Sequence, residues 1–291
     1  MRQTGPFAQS AYKGLSSGHK WRAKRVPLNT IGPLIDGDNP IPNEMPQEDA
    51  SGPANDAGPR FLCRDLPEEA GSTIQLDKDQ ARHATRVLRL SEGDAIQLID
   101  GRGTVAQATL IATSPGQTTC TVESVQRVPA PSPRIELATA IPKGPRADSM
   151  VNDLAQLGTD RLIPLISRRS VVHPRDNKLE RFEKAAAEAG KQSGNAWLMQ
   201  VNEPTAFEDA LVCEAGLKLI ADPYAEPIAD LPARLQSVRV VRVLVGPEGG
   251  LTDQELAAAR DAGFLPWRYS PNVLRIETAA TAAVAILRAH A

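Results

Sequence analysis

The stretch Val243-Leu244-Val245-Gly246-Pro247-Glu248-Gly249-Gly250-Leu251-Thr252-Asp253-Gln254-Glu255 constrains the fold most. It reads as a buried apolar strand that empties into a glycine-rich loop and then a helix. Thr252 and Glu255 stand three apart, the spacing of a capping box, so a helix is expected from Asp253 and Gly263 suits its end. A glycine loop between strand and helix lets backbone approach a ligand with no Cβ in the way. In open α/β sheets ligands bind at such carboxyl ends of strands. The loop lacks the Gly-x-Gly-x-x-Gly of a dinucleotide site and the Gly-Lys-Ser/Thr of a P-loop. Taken alone it is equally a tight turn.

A second block, Ser270-Pro271-Asn272-Val273-Leu274-Arg275-Ile276-Glu277-Thr278-Ala279, follows a short strand expected at Trp267–Tyr269. It leads into an Ala-rich helix expected over Glu277–His290. Upstream, strands at Ile135–Ile141, Leu162–Ile166, Leu217–Ala221 and Val240–Val245 alternate with helices at Ala147–Leu157, Lys178–Ala189 and Phe207–Cys213. Such alternation implies a mainly parallel sheet covered on both faces.

Residues 60–130 read differently. Strand-like runs at Arg60–Arg64, Asp94–Asp100, Thr104–Ala112 and Thr118–Gln126 surround one helix, Asp77–Leu90, and Asp100-Gly101-Arg102-Gly103 is a hairpin signal. A small barrel is expected. On the helix Arg82, Arg86 and Arg89 fall at i, i+4 and i+7, with Ala84, Val87 and Leu88 inward. The basic face is open between a solvated surface and a phosphate-contacting stripe.

The 291 residues carry a net charge of −2, so any nucleic-acid surface must be a local patch. The three scattered cysteines, Cys63, Cys120 and Cys213, fit neither a disulfide framework nor a zinc site and suit a reducing compartment, the cytoplasm. Neither a metal-ligand pattern nor a membrane-spanning run is evident. Residues 1–59 are rich in proline and glycine, basic up to Ile35 and acidic from Asp36 to Asp56, and a disordered extension is expected. A transit peptide, a dispensable tail and an over-extended start remain open there.

The paired blocks resemble the RsmE family of SPOUT-class RNA methyltransferases. That family carries Gly-Pro-Glu-Gly-Gly followed, after one helix and strand, by Leu-Arg-x-Glu-Thr-Ala. The resemblance spans roughly residues 60–291 and includes Arg82–Arg89, Gln156-Leu157-Gly158 and Ala186–Gly194. It implies an α/β fold: a SPOUT-type, trefoil-knotted parallel-sheet methyltransferase domain over 133–291 behind a small PUA-like RNA-binding β-barrel. The knot is not a property that pattern could reveal.

The resemblance further implies S-adenosyl-L-methionine as cofactor, a uridine of 16S (small-subunit) rRNA methylated at N3, and a homodimer. Neither metal nor membrane is implied. The cofactor is expected against Leu244, Val245, Gly246, Glu248, Gly249, Gly250, Tyr269, Ser270, Val273, Leu274 and Thr278, largely through backbone. Arg275 is the expected catalytic residue, stabilising charge on uridine or holding a phosphate. Glu277 is open between orienting Arg275, accepting a proton and favouring the helix N-terminus. Glu248 is open between a cofactor contact, a partner-chain contact and solvent. RNA is expected on Arg82, His83, Arg86, Arg89, Lys143 and Arg168, with Arg146 and Arg169 alongside. The chain departs from the pattern at Lys191 and Asn195, where the family usually has Glu and Arg, and at Ser270 and Asn272, where it tends to have Gly and Arg. Two alternatives therefore stand beside the enzyme: a noncatalytic RNA-binding paralogue, and a methyltransferase acting on another RNA position.

Overall fold

The computed structural model describes residues 58–114 and 116–291. The expected extension falls, up to residue 57, outside the described residues.

The first part of the fold is a five-stranded sheet. Its elements are β1 (Arg60–Leu62), β2 (Thr73–Gln75), α1 (Lys78–Arg82), β3 (Ala95–Ile99), β4 (Thr104–Ser114) and β5 (Gln117–Arg127). The strands run in the order β1-β3-β4-β5-β2, with β1 parallel to β3 and the other pairs antiparallel. Alternate residues of β3 to β5, among them Ile96, Leu98, Ala106, Ala108, Leu110, Cys120 and Val122, bury one face against Phe61 and the helix residues Ala81 and Ala84. Asp100 builds the expected hairpin by accepting hydrogen bonds from the backbone N–H groups of Arg102 (2.6 Å) and Thr104 (2.9 Å). Gly103, at φ 98°, is required twice over, since a Cβ there would also sit 2.6 Å from the Trp197 ring. Trp197 donates from its indole to the Val128 carbonyl at 3.1 Å, so the hairpin docks on the second sheet domain.

Helix α1 departs from expectation. Asp77 caps it through the Gln80 N–H, but after Arg82 the helix widens into a π-turn, His83–Val87. Each π-turn residue reaches five back rather than four, so extrapolating a 3.6-residue period past His83 points the wrong way. Val87 and Leu88, expected inward, are 65% and 38% exposed. Arg89 lies beyond the helix at φ 56°, left-handed for a non-glycine residue, and is therefore not on one helical face with Arg82 and Arg86.

The second part is a seven-stranded sheet in which every pair is parallel. Its elements are β6 (Arg134–Thr139), α2 (Pro145–Gln156), β7 (Arg161–Ile166), α3 (Asp176–Gln192), β8 (Gln200–Val201), β9 (Thr205–Ala206), α4 (Phe207–Ala210), β10 (Leu217–Ala221), α5 (Leu231–Gln236), β11 (Val240–Val245), α6 (Asp253–Asp261), β12 (Leu265–Trp267) and α7 (Ile276–Ala289). The order is β12-β10-β11-β6-β7-β8, with β9 also on β7.

The period of two in β11 explains why both faces must be covered. Val241, Val243 and Val245 face one core with Met150, Leu154, Phe182, Val284 and Leu287 of α2, α3 and α7. Leu244 faces the other with Phe207, Ala259 and Phe264. The alanines of α7, at Ala279, Ala280 and Ala283, bring its axis close to the sheet, while burial of Leu287 contributes about 1.5–3 kcal/mol. Strand β12 begins two residues before its expected start. Elements β2, β8, β9 and α5 were not anticipated, being two to six residues long.

Candidate functional site

The carboxyl ends of β10, β11 and β12 are neighbours in the sheet, and their three loops enclose a cavity of about 220 Å³. Val245, Gly246, Glu248 and Gly250 line it from the β11 loop, and Tyr269, Ser270, Val273 and Leu274 from the β12 loop. These are eight of the expected cofactor residues. The other three do not line it. The Leu244 side chain is wholly buried in the opposite core, Thr278 is exposed on α7, and Gly249 turns toward Arg169.

Sequence reasoning missed the third wall, Asp222-Pro223-Tyr224 after β10. The available signal was position, since this loop too follows the carboxyl end of a parallel strand. Trp267, Ile276 and Ala279 complete an apolar floor.

The glycine loop is held from behind. Thr252 and Glu255 form the expected capping box, with Thr252 N–H to Glu255 at 2.7 Å and Glu255 N–H to the Thr252 hydroxyl at 3.2 Å. Glu255 also accepts from the Arg168 N–H at 2.8 Å. Burial pushes its carboxyl upward, but the hydrogen bonds from Thr252 and Arg168 outweigh that and hold it below the ordinary value. The Arg169 guanidinium donates to the Gly249 carbonyl at 2.8 Å, and Arg168 to the Gln254 side chain at 2.7 Å. Both arginines thus brace the β11 loop. Gly246 has its own reason: a Cβ there would come within 2.9 Å of Leu251 Cγ.

The second loop is braced by Tyr269, whose hydroxyl donates to the Ala279 carbonyl at 3.0 Å and whose pKa burial raises. Ser270 accepts from the Asn272 N–H at 3.1 Å, closing a tight turn with ordinary φ at both residues. Ser at 270 is thus accommodated without strain.

Arg275 caps the start of α7, exposed, its guanidinium without a hydrogen-bonding partner among the described residues. Glu277 does not orient it. Instead Arg146, at the start of α2, reaches Glu277 at 3.3 Å and Glu248 at 3.5 Å. Arg146 therefore ties the glycine loop to the first turn of α7, a connection between distant segments that spacing could not reveal. The same contact gives Glu248 an ion-pair partner while it also lines the cavity. Lys143 is exposed in the β6–α2 loop, so Lys143, Arg146, Arg168, Arg169 and Arg275 all stand at the carboxyl edge of the sheet. Arg82, Arg86 and Arg89 are exposed on the smaller sheet domain, and His83 packs edge-on against Phe61.

The departures at 191 and 195 have structural partners. Lys191 is buried and pairs with Glu188 at 2.7 Å, and the Asn195 amide donates to the Ala155 carbonyl at 2.9 Å. Among the described residues no group of three His, Cys, Asp or Glu side chains is placed to hold a metal ion, and no helix is long and apolar enough to cross a membrane.

The RNA methyltransferase domain family matches residues 129–288, and the RNA methyltransferase PUA domain family matches residues 76–123. Ribosomal RNA small subunit methyltransferase E of Synechocystis is 33% identical over 225 residues, covering 75% of this chain and 73% of its own. The protein of the same name from Mycobacterium bovis is 27% identical, covering 77% of this chain and 88% of its own. The crystal structure of that enzyme from Neisseria gonorrhoeae bound to S-adenosyl methionine superposes with a TM-score of 0.73 at 29% identity, covering 80% of this chain and 97% of the other. With its cavity at the carboxyl ends of a parallel sheet and a PUA-like domain ahead of it, the chain belongs to the ribosomal RNA small subunit methyltransferase E family of RNA methyltransferases.

Proposed function

We propose that the chain transfers a methyl group from S-adenosyl-L-methionine to N3 of a uridine in small-subunit (16S) rRNA, as a cytoplasmic homodimer. The observation that carries this is the three-loop cavity with both family motifs on its rim. The cavity suits the cofactor: an apolar floor for a flat base, backbone beside Gly246, and the Asp222 carboxylate for hydroxyl or cationic groups. Bound there, S-adenosylmethionine supplies a methyl already activated on a sulfonium, so the protein mainly positions the reactants.

Uridine N3 is a weak acid that releases its proton to solvent; its N–C bond would form as the C–S bond of the sulfonium breaks, leaving a neutral thioether. Arg275 is the catalytic residue in this reading. Its unpartnered guanidinium, beside the positive end of α7, stabilises negative charge as it develops on the pyrimidine. Arg146 keeps Glu248 and Glu277 occupied, so neither carboxylate neutralises Arg275. Cofactor contacts fall to the eight lining residues and to Asp222–Tyr224. RNA is held by Lys143 and Arg168 at the sheet edge and by Arg82, His83, Arg86 and Arg89 on the barrel. This divides the chain into an RNA-binding barrel over 60–130 and a methyltransferase domain over 133–291.

A methyl on N3 blocks the pairing edge of uridine and stops reverse transcription. Small-subunit rRNA from cells lacking the gene, incubated with the protein and S-adenosylmethionine, is expected to gain one such stop at a uridine. A methylated base without a stop, or a stop at another base, would refute the assignment.

A further inference from the structure

A second cavity, of about 370 Å³, lies between the smaller sheet domain and the end of α3. Its walls include Arg60, His83 and Gln97 from one side and Lys191, Gln192 and Gly194 from the other. None of these except His83 belongs to the expected RNA surface. We propose that this cleft is an anion site that takes a backbone phosphate of the bound RNA, clamping the strand between the two domains; the inference rests on the RNA-substrate reading above.

Arg60 carries the argument. Its Nε donates to the Gln97 side chain at 2.5 Å, which fixes the guanidinium plane. Its Nη1 is buried and has no hydrogen-bond partner. A buried donor left unpaired is costly, and a phosphate oxygen removes that cost with a charge-assisted bond. Gly194 packs beside Nη1, where a Cβ would stand at 3.5 Å, so a small shift of this glycine exposes the donor to the cleft. Lys191, with its side chain 7% exposed, adds a second cation in the wall, and Glu188 supplies a single carboxylate against the two. The last turn of α3 does not oppose an anion with bare carbonyls, because those of Ala189, Gly190 and Lys191 accept from the N–H groups of Ser193, Asn195 and Gly194. His83 in the wall shares its helix with the exposed Arg82 and Arg86. A strand held by those arginines passes close to His83, which favours a polymer phosphate over a free one.

Gln192 gives a clean test, being exposed at the end of α3 on the rim of the cleft. Binding of a fluorescent single-stranded rRNA fragment to the full chain is measured by anisotropy across a salt series, with S-adenosylmethionine binding measured in parallel. Q192E is expected to weaken RNA binding several-fold and Q192K to strengthen it, with cofactor affinity unchanged. R60Q is expected to lower the slope of log K against log salt by about 0.7, the loss of one single-strand phosphate contact. Equal RNA affinities for wild type, Q192E and Q192K would overturn the site. Inorganic phosphate that binds with an affinity sensitive to R60Q, while RNA binding ignores it, would overturn the RNA assignment. A wild-type chain that binds cofactor but no RNA would instead remove the reading on which the site rests.

Discussion

Gly246→Ala separates the loop that holds the cofactor from the loop that merely turns. The added Cβ would stand 2.9 Å from Leu251 Cγ, short of ordinary carbon contact at about 3.5–4.0 Å. Overpacking of this kind costs about 1–3 kcal/mol. Leu251 lines the cavity, so relief by its movement falls on the bound ligand. If the whole cost appears there, affinity for S-adenosylmethionine drops roughly 5- to 150-fold, at tenfold per 1.4 kcal/mol. Gly249→Ala is the control. Its Cβ meets Arg169 at 3.4 Å, an ordinary contact, at a residue outside the cavity, and affinity should stay within about twofold of wild type. Calorimetry gives both affinities, and thermal unfolding of the same samples shows how much of the cost falls on the fold. Loss of binding in Gly249→Ala with normal binding in Gly246→Ala would refute this assignment of the walls.

Arg275→Ala should lower kcat about 10²–10³-fold with cofactor affinity unchanged, as loss of one charge-stabilising donor does, and single-turnover methyl transfer measures it. Arg146→Gln should cost at most about 1 kcal/mol of stability, since the ion pairs it breaks are partly exposed. It should nevertheless lower kcat at least tenfold by freeing Glu277 and Glu248; a melt that falls while kcat holds would make Arg146 purely structural. Because the folded Glu255 carboxyl lies below its ordinary 4.5, the stability it contributes is present above that pH and lost as pH falls through the lower folded value. Glu255→Gln should therefore flatten the acid limb of a stability-against-pH curve, and an unchanged limb would contradict that role.

Much of this fold could be read from local pattern. The core strands Leu217–Ala221 and Val240–Val245 match their expected bounds because a strand buried on both faces is a nearly continuous apolar run, here broken only by Lys218 and Arg242. The capping box at Thr252 and Glu255 was legible because it is local. Val87 and Leu88 were misplaced because a π-turn changes the helical phase without leaving a compositional mark. At the site, the two glycine- and proline-marked loops announced themselves, whereas Asp222–Tyr224 joined them only through the sheet order β12-β10-β11. Arg146 paired with Glu277 across 131 residues of chain, a separation at which spacing carries no signal. Lys191 and Asn195, read as departures from a family pattern, proved to have partners in Glu188 and the Ala155 carbonyl.

The most direct test of the account is a crystal structure of the full chain with S-adenosylhomocysteine. The ligand is expected between the loops after β10, β11 and β12, with its base on the floor formed by Trp267, Ile276 and Ala279 and its sulfur toward Arg275. Ligand density elsewhere, or a sulfur turned away from Arg275, would contradict it.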